Sequence, residues 1–362
     1  MKIGIIGTRG IPNKYGGFEQ FTEHIAPMLV KKGHEVTVYN SSLHPIQLKE
    51  WKGVNIITKK DPEKNLGTAG QFIYDLLCII DCRKRNYDII LQLGYTSSSI
   101  WSFLLPSSST IITNMDGLEW KRSKYSSIVK SFLKYAEAKA VGSSDVLIAD
   151  SPGIQEHLQK KYRKNSTYIP YGALSFQAVS EDVLQRFHLK KYMYNLVIAR
   201  LEPENNIEMI IEGNLQSQTD KPLLIFGSTA TKFGRHIKEK YQSAAIRFCE
   251  AVYDLDLLNH LRYYSHLYFH GHSVGGTNPS LLEAMASEGL IATHDNIFNR
   301  YVCGSDAFYF ANTDDIANII KNTQYKKDYL HFLSNNSIKI RNEYSWTSIV
   351  DQLETCFTHA LY

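Results

Sequence analysis

An α/β chain built from two consecutive doubly wound domains is the fold this sequence predicts, and three observations predict it. The chain has 362 residues, too many for one ordinary core and suited to two domains of about 150–200 residues each. Its first half alternates short apolar runs with stretches of helical period. Its second half repeats that rhythm. Alternation of this kind lays parallel strands in a sheet with helices on both faces.

The elements follow in order. Lys2–Gly7 reads as a buried strand. Phe18, Phe21, Ile25, Met28 and Leu29 then recur at helical spacing, with Pro27 expected to kink that helix and Gly33 to close it. Further strands read at His34–Tyr39, Val54–Ile57, Asp88–Leu91, Thr110–Thr113 and Val146–Ala149. The second domain has strands at Leu196–Ala199, Leu223–Phe226, Ile246–Phe248 and Leu267–Phe269. Its helices fall near 206–215, 232–242, 256–264 and 279–287. The domains are expected to span 1–175 and 176–342, with the remainder, 343–362, carrying an amphipathic helix at Trp346–Leu361. Two doubly wound domains are expected to leave a ligand-binding cleft at the carboxyl ends of their strands.

Composition narrows the class. Hydrophobic residues at 43% and charged residues at 21% suit a globular chain. No run of 18 apolar residues occurs, so no membrane span is expected. The apolar run after Met1 is too short for a signal peptide, and a cytoplasmic location is expected. Cys78, Cys82, Cys249, Cys303 and Cys356 are scattered, without zinc-finger spacing, and read as free thiols. Residues 1–175 carry 23 Lys and Arg against 15 Asp and Glu, net +8, and the rest 17 against 21, net −4. The basic half reads as a solvated surface or as one facing phosphates or an anionic membrane.

Three stretches carry chemistry. Gly4, Gly7 and Gly10 imitate a dinucleotide fingerprint, but their spacing and the long loop before the helix fit it poorly. Gly16 and Gly17, at a helix start, permit close approach of backbone N–H groups to an anion. Arg200, at a strand's carboxyl end in Ala199-Arg200-Leu201-Glu202-Pro203-Glu204-Asn205-Asn206, can clamp a diphosphate. The densest signal is His270–Ala286. There Gly275 and Gly276 form a loop, Thr277 or Asn278 caps a helix, Pro279 and Ser280 open it, and Glu283 lies one turn in, placed to accept ribose hydroxyls.

These motifs resemble the retaining glycosyltransferases of family 4, which have the GT-B fold, over nearly the whole chain. Within them the chain is most similar to bacterial polysaccharide rhamnosyltransferases. That likeness rests on Tyr15-Gly16-Gly17-Phe18-Glu19, Asp116-Gly117-Leu118-Glu119-Trp120-Lys121-Arg122, Pro203-Glu204-Asn205-Asn206 and Gly275-Gly276-Thr277-Asn278-Pro279-Ser280. The resemblance implies a terminal helix crossing back to the first domain, and transfer of a sugar, L-rhamnose from dTDP-rhamnose, with retention and without metal or other cofactor. It implies a saccharide acceptor, lipid-linked in one version, in cell-surface polysaccharide synthesis. Donor binding would fall to Gly16, Gly17, Arg200, Asn205, Gly275, Gly276, Thr277, Asn278, Pro279, Ser280 and Glu283. The acceptor would meet Asp116, Glu119, Trp120 and Arg122, and Asp116, Arg200 and Glu283 would be catalytic.

Three positions depart from the broad family. Its two glutamates, with seven residues between them, are here Gly275 and Glu283. Its lysine after the arginine is Asn205. Its first-domain histidine is missing near Asn114-Met115-Asp116, where Asp116 stands instead. A nucleotide-sugar epimerase and a non-catalytic nucleotide-sugar-binding module share the fold and stay open. Asp254 and Asp256 form an Asp-x-Asp that reads as a helix cap rather than a metal site. His270 and His272 lack a third ligand. Lys160, Lys161, Arg163 and Lys164 end a helix, as a solvated end or a membrane-surface patch.

Overall fold

The computed structural model describes every residue except 123 and 124. The chain forms two compact units. The first comprises Met1–Lys121, Tyr125–Tyr171 and Trp346–Tyr362; the second comprises Arg122 and Gly172–Ser345.

The first unit holds an eight-stranded sheet: β1 (Lys2–Ile6), β2 (Glu35–Ser41), β3 (Glu50–Trp51), β4 (Val54–Lys59), β5 (Ile89–Leu93), β6 (Thr110–Asn114), β7 (Val146–Ala149) and β8 (Thr167–Tyr168). Their order is β3-β4-β2-β1-β5-β6-β7-β8, and only β3 runs antiparallel to its neighbour. The central strand β1 puts Ile3 beside Val36 and Ile89, all three fully buried. Strands covered on both faces read as the continuous apolar runs seen in the sequence. Gly7 follows with φ +84°, and a Cβ there would lie 2.2 Å from the Leu93 carbonyl oxygen. Gly4 packs against the Tyr87 ring and Gly10 against Asn40. The chain's own packing thus accounts for the three glycines that imitate a dinucleotide fingerprint.

The first helix, Gly17–Lys31, runs unbroken through Pro27. The last helix, Trp346–Leu361, packs on it. The Trp346 ring stacks on His24 at 4.4 Å and meets the Phe21 edge at 6.0 Å. Burial, with Lys52 nearby, lowers the His24 pKa to about 4, so the stacked imidazole is neutral at pH 7. Glu354 on the last helix accepts from Lys32 Nζ at 2.6 Å and lies 2.9 Å from His34 Nε2.

The second unit holds β9 (Asn195–Ile198), β10 (Leu223–Phe226), β11 (Ile246–Cys249), β12 (Tyr268–His270), β13 (Ile291–His294) and β14 (Phe308–Phe310), in the order β11-β10-β9-β12-β13-β14. All pairs are parallel. Val197, Ile225 and Phe269 of the sheet and Ile207, Ile210 and Ile211 of the following helix form its core. In each sheet the strand order reverses beside the first strand, between β1 and β5 and between β9 and β12. Loops leaving the carboxyl ends at such a switch point are where open α/β sheets bind ligands.

Trp346 is 4% exposed. Trp346→Ala is expected to destabilise the first unit by about 3–5 kcal/mol, read as a lower midpoint in denaturant unfolding.

Candidate functional site

In the second unit the site is built on the loops after β9 and β12. Arg200 lies two residues past β9 and is exposed. Its loop is held by side chains: Asn205 Nδ2 donates to the Arg200 carbonyl at 2.7 Å, and Asn206 Nδ2 to the Gly271 carbonyl at 2.7 Å. Ser273 donates to the Glu204 carbonyl through both its N–H, at 3.1 Å, and its Oγ, at 2.9 Å. The two loops are therefore one hydrogen-bonded body. Asn205, where the resemblance leads one to expect lysine, is 4% exposed and spends its amide on shaping the Arg200 loop.

The loop after β12 shows why glycine stands at position 275, where the resemblance leads one to expect glutamate. Gly275 has φ +131° with nothing within 4 Å of an added Cβ. Backbone conformation, not crowding, asks for glycine there. Asn278 caps the next helix, Pro279–Ala286, by accepting from Ser280 N at 3.0 Å, and Pro279 takes the first helical position. Thr277 is buried just before it. The helix start favours negative charge.

Glu283 faces a residue that no motif points to. Arg262, 1% exposed, donates through Nη2 to Glu283 Oε2 at 2.6 Å and to Ser280 Oγ at 3.1 Å, and through Nη1 to Asn259 at 2.7 Å. Ser280 Oγ is also 2.7 Å from the Tyr268 hydroxyl. The Glu283 carboxylate is thereby held by a buried guanidinium. A buried arginine must be paired, and Arg262 sits fully buried on the Leu255–Tyr264 helix with Glu283 as its carboxylate partner.

His270 and His272 stack at 4.3 Å, 11° from parallel. Burial holds both below the ordinary imidazole range. His270 sits well below it, and His272 falls to about 3 because the Arg200 and Arg122 guanidiniums bear on it as well. Both rings are neutral. Among the described residues no cluster of three or more His, Cys, Asp or Glu is arranged to hold a metal. Asp254 caps the Leu255–Tyr264 helix by accepting from Leu257 N at 3.1 Å, the capping reading of the Asp-x-Asp. Arg122 groups with this second unit, apart from Asp116, Glu119 and Trp120. Its Nη1 lies 3.7 Å from Glu204 Oε1, whose carboxylate is buried.

In the first unit, the loop after β1 and the loop after β6 meet at Tyr171. Glu19 accepts from Arg9 N at 2.7 Å and Thr8 Oγ1 at 3.2 Å, pinning the loop that ends in Gly16 and Gly17. Gly16 is extended, with φ −165°, and a Cβ on Gly17 would lie 3.5 Å from the Tyr171 hydroxyl. Asp116 has φ +50°, a conformation aspartate tolerates, and donates its N–H to Asn114 Oδ1 at 3.0 Å. Burial pushes the Tyr171 phenol well up, reinforced by the charges of Asp116, Asp150 and Glu19.

Trp120 is anchored by a second residue without a motif. Glu137, 1% exposed, accepts from Trp120 Nε1 at 2.8 Å, Lys161 Nζ at 2.8 Å and the Tyr162 hydroxyl at 2.7 Å, and lies 2.9 Å from His157 Nε2. Burial raises its pKa, and these bonds, from Lys161 first, outweigh burial and hold it below the ordinary range. Lys134 stands over the Trp120 ring at 4.9 Å. A glutamate in the buried stripe of Leu133, Ala136, Ala140 and Val141 was the available signal.

Comparison with known proteins places this geometry. Residues 1–174 match the family model described as "Domain of unknown function (DUF1972)". No curated protein matches the chain. Sucrose-phosphate synthase from Thermosynechococcus elongatus superposes with a TM-score of 0.82 at 14% identity, covering 99% of this chain and 98% of its own. The chain has the GT-B fold. Anabaena HepE, solved in complex with UDP-glucose, aligns at TM-score 0.78 and 14% identity over 99% of both chains. An alpha,alpha-trehalose-phosphate synthase (UDP-forming) from Burkholderia vietnamiensis aligns at 0.73 and 10% identity, over 99% of this chain and 100% of its own.

Two outcomes are expected. Glu137→Gln keeps the shape but loses the charge, and hydrogen bonds to charged groups are each worth about 1.5–3 kcal/mol. Its stability at pH 7 should fall by about that much. Because the folded pKa is depressed, the wild-type advantage is present above the ordinary carboxylate pKa and vanishes as pH falls through the folded value. Unfolding midpoints of the two proteins should therefore converge in acid. Gly275→Glu should be strained, since a non-glycine residue rarely adopts that backbone conformation; calorimetry should show a lower Tm.

Proposed function

We propose that the chain is a retaining glycosyltransferase that moves a sugar, L-rhamnose from dTDP-rhamnose, onto a saccharide acceptor of cell-surface polysaccharide. The observation that carries this reading is the assembly at the β9–β12 switch point. There, exposed Arg200, the Gly275–Asn278 loop, a capped helix start and the Arg262-oriented Glu283 belong to one hydrogen-bonded body. Donor complexes of a neighbour sharing the fold, HepE with UDP-glucose, support a nucleotide-sugar donor.

In this reading Glu283 receives the ribose hydroxyls and Arg200 the diphosphate. Arg122, bearing with Arg200 on His272, supplies the second positive charge that Asn205 does not. The leaving group's charge is met by guanidinium groups and by the dipole of the Pro279–Ala286 helix. His270 and His272, held neutral, add no charge of their own. Gly16 and Gly17, on the first unit, offer backbone N–H groups at a helix start to an anion. On the first unit, Asp116 accepts the acceptor hydroxyl's proton or hydrogen bond, while Glu119 and the anchored Trp120 bind the sugar's polar and C–H surfaces. The acceptor is lipid-linked, and the protein works peripherally on the inner membrane face. No helix among the described residues is long and apolar enough to cross a membrane.

Transfer is tested with purified protein, dTDP-rhamnose and a panel of other nucleotide diphosphate sugars. Product should form only with acceptor present, keep the donor's anomeric configuration, and survive EDTA. Isomerised donor without acceptor would identify an epimerase, and binding without turnover a non-catalytic module. Glu283→Gln should weaken nucleotide binding by about 1.5–3 kcal/mol. Arg200→Ala should depress kcat more than free-nucleoside affinity. Asp116→Asn, which fits the same backbone conformation, should lower kcat roughly 100-fold or more with nucleotide affinity near normal. Wild-type kinetics in all three variants would refute the assignment.

A further inference from the structure

The buried charges Glu19, Glu137 and Arg262 all hold hydrogen-bond partners. Glu204 does not. It is 8% exposed, and both carboxylate oxygens are buried without a hydrogen-bond donor. Arg122 Nη1 lies 3.7 Å from Oε1, beyond hydrogen-bond length. A carboxylate so placed has lost its water and gained no donor in exchange. Its position is nevertheless fixed by the main chain. Glu204 lies in the short Pro203–Asn205 turn. Ser273 donates to its carbonyl through both N–H and Oγ. A Cβ on Gly271 would lie 2.0 Å from the Asn205 carbonyl oxygen, so the loop after β12 passes this turn at backbone contact.

The polar groups nearby select the ligand. The guanidiniums of Arg122 and Arg200 both bear on His272. His272 Nδ1, and both nitrogens of the His270 ring stacked on it, are buried without hydrogen bonds. A carboxylate only accepts, a guanidinium only donates, and a neutral imidazole does one of each. A bare anion is opposed by the carboxylate, and a cation by the guanidiniums. A hydroxyl donates and accepts, so a ring carrying several hydroxyls matches the whole set. We infer that Glu204 is a specificity-determining residue that accepts hydrogen bonds from hydroxyls of the transferred sugar. This role rests on the proposed reading of the loop body as the donor site. In that reading the Arg122 guanidinium is drawn to the diphosphate and leaves the Glu204 carboxylate to the sugar. A nucleotide without a sugar brings it no hydroxyl, because the ribose belongs to Glu283.

The test is calorimetric titration of the full chain with dTDP and dTDP-rhamnose, and with UDP and UDP-glucose. Wild type is compared with Glu204→Gln and with Glu239→Gln, a matched change at an exposed position of the second unit. For the pair that wild type binds, Glu204→Gln should keep nucleotide affinity within about twofold and lose roughly tenfold or more in nucleotide-sugar affinity, the value of a hydrogen bond to a charged group. Donor analogues lacking one sugar hydroxyl at a time should show the coupling. Wild type should lose affinity for at least one of them, and Glu204→Gln should lose nothing further for that same analogue. Without ligand, Glu204→Gln should melt no lower than wild type, since it removes a buried charge that has no donor. Glu239→Gln should behave as wild type throughout. The proposal is overturned if Glu204→Gln binds the nucleotide sugar as wild type does, if it loses nucleotide and nucleotide-sugar affinity alike, or if it still discriminates against every deoxy analogue as wild type does. A lower Tm without ligand, with sugar discrimination unchanged, would make Glu204 a structural partner of Arg122 and overturn it too. If wild type binds none of these ligands, the donor-site reading fails and takes this role with it. Binding by wild type that Glu204→Gln leaves unaltered strikes this role alone.

Discussion

A parallel sheet has a direction, and that constraint organises everything else in this molecule. Apart from β3, the strands of each sheet run the same way, so their carboxyl ends gather along one edge. Residues far apart in sequence are delivered to that edge without any element of their own to bring them: Arg200 and Gly275 in the second unit, Gly17 and Asp116 in the first. Reversal of strand order beside β9 and β1 then opens the space into which these loops project. The apolar runs of the strands and the polar loops that follow them are two consequences of one packing solution.

Loops so delivered still need to be held, and the molecule holds them with buried carboxylates and amides. Glu19 pins the loop before Gly16, Glu137 pins Trp120, and Arg262 pins Glu283. Each arrangement replaces water around a charged group with several directed donors, which costs desolvation and repays it only when the geometry is complete. The result is a small number of rotamers on loops that would otherwise sample many. Asn205 shows the same economy in neutral form: a side chain at a position associated with a ligand contact serves to shape the backbone beneath the arginine that remains.

Much of this architecture was legible in the sequence, and the failures have a physical pattern. Strands with four or more consecutive apolar or β-branched residues were placed within a residue or two, as were the helices capped by Asp254 and Asn278 and the terminal helix beginning at Trp346. The strands that escaped, Glu50–Trp51, Thr167–Tyr168, Ile291–His294 and Phe308–Phe310, are two to four residues long, and the third includes Thr293 and His294. So short a run has no period to detect, and its pairing with a neighbour supplies what its composition lacks. The ion pairs escaped for a different reason. Glu137 meets partners 17 to 25 positions away, and Arg262 meets Glu283 at a separation of 21. No local spacing encodes such contacts. The only trace is a charge standing where periodicity asks for an apolar side chain.

Local structure accounts for the departures at Gly275 and Asn205. Read position by position, the chain lacks a glutamate and a lysine that its resemblance leads one to expect, as though a working site had been stripped. The structure gives both replacements a local physical reason. Gly275 occupies a backbone conformation that a glutamate would adopt only under strain, and Asn205 makes the hydrogen bond that sets the Arg200 loop. Both positions are thus required by the structure of their own loops. Charge balance leads to the same place. With asparagine at 205, the guanidiniums of Arg200 and Arg122 both bear on the His272 ring, which burial first of all holds neutral, so positive charge is concentrated beside this loop.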